Sequence, residues 1–215
     1  VTAFLEYMYP NKIGNLAVGR DRYTTMLNEQ GEIIDDVVLM RMEEDRYWVS
    51  TLFASKTDDW WYFHQGDYQV DWTEITDEWA MYAVQGPKSR EVLEELVKDP
   101  IGELKFFAHK EAEIEGIPCI VNRGGYTGEK LGYEIYVNPE DGERLEALLK
   151  PAAEKAGGRE VTEFQVMAWT LPTEANFYYM RDLAHTNPFE VGLAGGIDWD
   201  KEFIGKEALL KVREE

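Results

Sequence analysis

Cysteine is almost missing from this chain: Cys119 is the single one in 215 residues. One thiol cannot build an internal disulfide framework, nor a Cys-rich zinc or iron–sulfur centre. Histidine is scarce too, and His64, His109 and His185 are scattered, so a His-built site is not expected and no metal is assigned. No apolar run approaches the roughly 20 residues that a membrane-spanning helix needs, and the mean hydropathy is −0.45. Residues Val1 to Tyr9 carry neither a basic n-region nor a long apolar stretch, so they do not read as a signal peptide. A soluble, cytoplasmic protein is expected. Basic residues are outnumbered, 22 against 42 acidic ones, for a net charge of −20. Nucleic acid and anionic membranes both need a basic face and are excluded as main partners. An anionic small ligand would need a local cluster of Arg and Lys. Also absent are a G-x-S-x-G elbow, a Walker loop and a dinucleotide fingerprint after a strand.

What is present is a globular composition, 44% hydrophobic and 13% aromatic. At roughly 150 residues per domain, the length suits one large domain or two small interleaved ones. Residues 20–28 and 33–42 flank the polar turn Glu29-Gln30-Gly31-Glu32 and predict a β-hairpin, with a third strand at Arg46–Leu52. A short helix is predicted from Ser55, with a capping Ser or Thr and acids in its first turn. Strands are expected at 68–75 and 78–84, then a helix 87–98 that opens on Pro87. Strands 110–115 and 117–122 meet at Glu115-Gly116, another runs 133–138, and a helix 140–156 ends at Gly157-Gly158. This β-α-β-β-(β)-α order predicts an α+β fold of mainly antiparallel sheets with flanking helices, including a ferredoxin-like layer. The run around Pro172 mixes strand and helix signals, and the last twenty residues read as a strand, a turn and a helix from Gly205. Three segments are expected: 1–77, 78–158 as the ferredoxin-like part, and 159–215 as a return segment.

Cys119 lies in the apolar run IPCIV and reads as a small buried hydrophobe. Trp60, Trp61, Trp72, Trp79 and Trp169 read as core. Asp35-Asp36 is more informative, because neighbours on a strand point to opposite faces, so one acid leans toward the packed side. Two readings stand: an edge strand with both acids solvated, or a carboxylate held in a dry cleft to meet N–H donors or a developing cation. In RGGYTGEKLGYEIYV, residues 123–137, glycines flank Tyr126 and let the loop approach a ligand closely. Tyr126 can stack on a flat ring, and Glu134 can accept from a two-donor edge.

Taken in order, GRDRYTTMLNEQGEIIDDVV, AVQGPKSREVLEEL, NRGGYTGEKLGYEIYV and TNPFEVGLAGGIDWDKEFIGKEAL closely resemble the glycine-cleavage T-protein family. That family includes tetrahydrofolate-dependent aminomethyltransferases, the folate domains of dimethylglycine- and sarcosine-oxidising enzymes, and demethylases of sulfonium or aryl methyl ether substrates. The match begins part-way into the family pattern: its first sixty or so residues, roughly a third of a domain, and its C-terminal barrel have no counterpart, so a fragment is expected. The resemblance implies a folate-binding core with the pterin in a central channel. It implies that Tyr23 and Asp36 match the hairpin Tyr and the second Asp of the IDD run, the acid beside the reacting nitrogens of the folate. It maps Tyr126 to the YTGE loop lining the channel and Glu134 to the acid that recognises the pterin's donor edge. Asp36 is thus the expected catalytic residue, Tyr23, Asp36, Tyr126 and Glu134 the expected tetrahydrofolate-binding residues, and Asp35 structural. A preorganised carboxylate suits the proton management and cation stabilisation of methyl or methylene transfer to an amine.

The chain also departs from the family. Where a G-A-R-D-x-x-R-x-E run is usual, Glu163 to Pro172 contains no arginine, so Arg181 or Arg123 is left to meet the glutamate tail. The YTGE block carries one extra residue before its Gly-Tyr-Glu. These departures favour a demethylase moving a methyl group from a small substrate to tetrahydrofolate. The partners implied are a methyl or aminomethyl donor and, in the wider family, a carrier protein or larger polypeptide. The alternative is a non-catalytic folate-binding or assembly protein on the same fold; its usual K-G-C-Y-x-G-Q-E motif is not matched by Arg123 to Glu129. A truncated domain that has lost activity is the third reading.

Overall fold

The computed structural model describes residues 1–162, 165 and 171–214. Its contacts divide the chain into two compact units, Val1–Glu74 with Tyr178–Glu215, and Ile75–Phe177.

The first unit opens with α1, Thr2–Met8, followed by β1, Asp21–Leu27, β2, Ile33–Glu43, and β3, Arg46–Thr51. The three strands form an antiparallel sheet with β2 in the middle. Asn28 shapes the predicted hairpin turn: its Oδ1 accepts from the N–H groups of Gln30 at 3.1 Å and Glu32 at 2.9 Å, and Gly31 takes φ +79°. Alternation sends Met26, Val37 and Leu39 to the packed face, where they meet Phe4, Met8 and Trp61.

Helix α2 runs Ala54–His64, one residue earlier than predicted, with no acid in its first turn. Its N-cap is Phe53, without a side-chain cap bond, because the helix closes on the Phe53 carbonyl through the Thr57 N–H at 3.0 Å. The strand expected at 68–75 is absent. Side chains of α2 and its C-cap hold that segment instead: Gln65 Nε2 donates to the Val70 carbonyl at 2.8 Å, and Trp72 Nε1 donates to Asp58. Trp72 stacks on Phe4 with ring centroids 5.9 Å apart, so its alternating apolar residues serve the core without a ladder.

The second unit contains β4, Ala80–Gln85, α3, Ser89–Glu94, β5, Ala108–Ile114, β6, Ile117–Arg123, β7, Gly132–Val137, and α4, Gly142–Lys155. A 3₁₀ turn at Thr76–Glu78 delays β4. Helix α3 is shorter than the predicted 87–98: Pro87 lies in the turn before it, and Val97 leaves to bridge Ile114 of β5. The sheet order is β4-β7-β6-β5, antiparallel throughout, and with the two helices it makes the expected α+β layer of antiparallel sheet and flanking helices. Val121, Tyr133 and Ile135 pack on one face with Leu93 of α3 and with Leu145 and Leu149 of α4. Gly157, at φ +84°, ends α4 as its sequence predicts.

A short helix α5, Leu171–Ala175, closes the second unit. The ambiguous run Glu163–Thr170 lies outside the described residues except for Gln165, and with it the expected core Trp169. The chain then returns to the first unit through α6, Met180–Leu183, and α7, Lys206–Glu214. The strand expected after Gly196 is reduced to one bridge between Ile197 and Asn11. Lys201 ties this stretch to α1, donating to the carbonyls of Glu6 and Tyr9 and pairing with the Glu6 carboxylate at 3.1 Å. Lys201 thereby supplies donors to carbonyls in the last turn and at the C-cap of α1.

Candidate functional site

Asp35 and Asp36 sit on the central strand, so the edge-strand reading falls away. Asp35 is fully buried. It accepts from Thr51 Oγ1, from the Asp36 N–H at 2.9 Å and from the Phe53 N–H at 3.4 Å, and this donor set accommodates a carboxylate inside the core. Asp36 points to the other face and is half-buried. Tyr23 stands opposite Val38, two residues from Asp36, so the two side chains form a diagonal cross-strand pair. The Tyr23 hydroxyl donates to Asp36 Oδ2 at 2.9 Å. Burial, with the Asp35 charge behind it, raises the Asp36 pKa above the ordinary carboxyl value; the Tyr23 hydrogen bond pulls the other way and is the smaller effect than burial. Burial and then the neighbouring Asp36 push the Tyr23 phenol up, so it stays a donor.

The second unit holds Tyr126 and Glu134. Glu134 lies on β7, 7% exposed, opposite Ala83 of β4 and Asn122 of β6. Its neighbours Tyr133 and Ile135 face the helices, so Glu134 faces the other side of the sheet. Tyr136 donates its hydroxyl to Glu134 Oε2 at 2.9 Å, and Asn122 Nδ2 reaches the same oxygen at 3.4 Å. Tyr126 is exposed on the loop between β6 and β7, where Gly125 and Gly128 take φ +142° and +89°. Gln85, which sequence reasoning missed, holds this loop: its Nε2 donates to the carbonyls of Gly124 at 3.2 Å and Tyr133 at 3.1 Å, while Thr127 donates to its Oε1 at 3.1 Å. Gln85 stands opposite Gly132, where a Cβ would collide with its amide, and only the strand register reveals that pairing.

Residues 1–201 match the GCVT N-terminal domain family. The chain belongs to that family. It is 33% identical over 214 residues to an aminomethyltransferase of Thermotoga sp. strain RQ2 and 32% identical to that of Thermotoga maritima, in both cases over 99% of this chain and 58% of the relative. The crystal structure of the glycine cleavage system aminomethyltransferase T from Bartonella henselae superposes with a TM-score of 0.81 at 25% identity, covering 99% of this chain and 58% of that one. The chain therefore spans somewhat over half the length of these relatives, and its fold is that of their N-terminal part.

Within the GCVT N-terminal domain, the four residues taken from the resemblance fall in two places: Tyr23 and Asp36 are bonded in the first unit, while Tyr126 and Glu134 belong to the second. Arg123 donates Nη1 to the Leu104 carbonyl at 2.8 Å, and Arg181 is exposed over the Tyr179 ring. Cys119 is buried and its thiol is pushed up to about 11 by burial, which suits a packing role. Among the described residues no three His, Cys, Asp or Glu are grouped to hold a metal, and no helix is long and apolar enough to cross a membrane.

Proposed function

We propose that this chain is the folate-binding part of an enzyme that transfers a one-carbon unit to tetrahydrofolate. The observation that carries the reading is the Tyr23–Asp36 pair: a half-buried carboxyl of raised proton affinity, in the block that the family resemblance sets beside the reacting nitrogens. The names of the relatives support it. So does the acceptor set, since the Asp36 and Glu134 carboxylates suit the N–H-rich heterocyclic end of such a ligand. Bound tetrahydrofolate would supply the amine nitrogens that take up the one-carbon unit. Glu134 accepts from the pterin's donor edge, held by Tyr136, and Tyr126 offers a ring face for stacking. Asp36 holds and passes a proton at its carboxyl and, when ionised, stabilises positive charge developing beside it; Tyr23 fixes its orientation.

The relatives' names favour an aminomethyl donor, delivered as a small molecule or on a carrier protein. A methyl donor, making the enzyme a demethylase, is the second reading, favoured by the missing arginine between Glu163 and Pro172. Turnover of tetrahydrofolate with each donor class separates the two, and saturable binding without turnover of either points to a non-catalytic folate protein.

Calorimetric titration with tetrahydrofolate should show saturable binding that weakens about tenfold or more in Glu134→Ala. A folded sample that binds nothing would remove the folate reading. Asp36→Asn should bind within a few-fold of wild type yet turn over about 10²–10⁴-fold more slowly, the range of a lost general acid–base. Unchanged turnover would take the catalytic role away from Asp36.

A further inference from the structure

The sheet of the second unit carries a polar row on the face away from its helices. In register across three strands stand His109 of β5, Asn122 of β6 and Glu134 of β7, all buried. Asn122 is 2% exposed, and its Nδ2 points to Glu134 Oε2 at 3.4 Å. The amide cannot be turned round, because its carbonyl would then face the carboxylate. Its Oδ1 is therefore aimed away from Glu134, and no donor among the described residues reaches it. A Cβ on Gly124 would lie 3.2 Å from that oxygen, so glycine leaves the carbonyl its room. Buried acceptors are nearly always paired, and one left unpaired beside a carboxylate is destabilising unless something else supplies the donor.

We propose that Asn122 is a ligand-binding residue whose carbonyl accepts an N–H of the bound heterocycle beyond those taken by Glu134. This rests on the folate reading above and adds a third acceptor to it. The ligand class that fits is a planar, uncharged ring system with three or more N–H donors along one side, as a reduced pterin has.

The test uses the whole chain, with tetrahydrofolate as the probe. Asn122→Leu, close in shape, and Asn122→Ala, which cannot clash, should each weaken binding about tenfold, the effect of one lost hydrogen bond with its buried partner. Their unliganded thermal midpoints should equal or exceed that of wild type, since the unpaired acceptor is gone. Tyr136→Phe, which removes the 2.9 Å bond to Glu134, should weaken binding less than either. Wild-type affinity in both Asn122 variants would overturn the assignment while leaving the folate reading intact. So would a midpoint lowered by several degrees in both, which would make the amide a structural group, or a Tyr136→Phe loss as large as theirs, which would mean that Asn122 acts only by holding Glu134. No binding by wild type itself would remove the folate reading and this inference together.

Discussion

Asp35 and Asp36 are one peptide apart and live in different solvents. Asp35 is enclosed with three donors, whereas Asp36 shares a half-buried face with one phenol. The raised pKa of Asp36 has a thermodynamic sign. A carboxyl whose folded pKa lies above its unfolded value of 3.8 destabilises the fold once ionised. The penalty is absent below the unfolded value and complete above the folded one. Asp36→Asn keeps an acceptor for Tyr23 and removes the charge, so its thermal midpoint at pH 7 should match or exceed wild type. That margin should shrink as pH falls from the raised folded value toward 3.8 and vanish below it. A midpoint several degrees lower at pH 7 would mean that the ionised carboxylate is structural. That one of the two acids had to turn inward was legible in the sequence, because strand geometry demands it; which one, and that β2 is central, needed the partner strands.

At the scale of elements, the turn between β5 and β6 is the best-specified piece of the second unit. Glu115 and Gly116 both take positive φ, +46° and +78°, between the paired residues Ile114 and Ile117. That is the type I′ geometry whose twist suits a two-residue hairpin, and Asn is far better than Glu at its first position. Glu115→Asn should therefore stabilise the chain by about 0.5–1 kcal/mol, read as a higher urea midpoint with an unchanged slope. The Glu115 carbonyl that accepts from Arg144 at 2.6 Å is kept by the substitution. No gain would mean that Glu115 carries no strain. The same turn was visible in the sequence because Glu-Gly separates two strand-like runs, 110–115 and 117–122. The segment 68–75 misled for the opposite reason: its alternation matches a strand, but it joins no ladder and is held by Gln65 at the Val70 carbonyl and by Asp58 at the Trp72 indole.

At the scale of the molecule, a charge of −20 sets the conditions under which the fold is stable. Ion pairs among the described residues are mostly exposed, such as Lys155 with Glu95 at 2.7 Å, and contribute little. Repulsion among the surplus acids dominates, and it is screened as the Debye length falls from about 10 Å at 0.1 M salt to about 3 Å at 1 M. Sodium chloride over that range should raise the thermal midpoint by about 2–4 °C, the shift made by roughly 1 kcal/mol in a chain of this size. A midpoint that falls with salt would show that attractive pairs outweigh the surplus. The sequence by itself determined the hairpins, the main helices, the family and the residue types at the candidate site, because these follow from period, turn chemistry and local motif. Only the tertiary structure decided that β2 is central, that Gln85 clamps the tyrosine loop, that the Asn122 carbonyl is buried without a donor among the described residues, and that Lys201 ties the return segment to α1. Each of those depends on which distant residue stands opposite, and register between strands is fixed by packing that no local window of sequence contains.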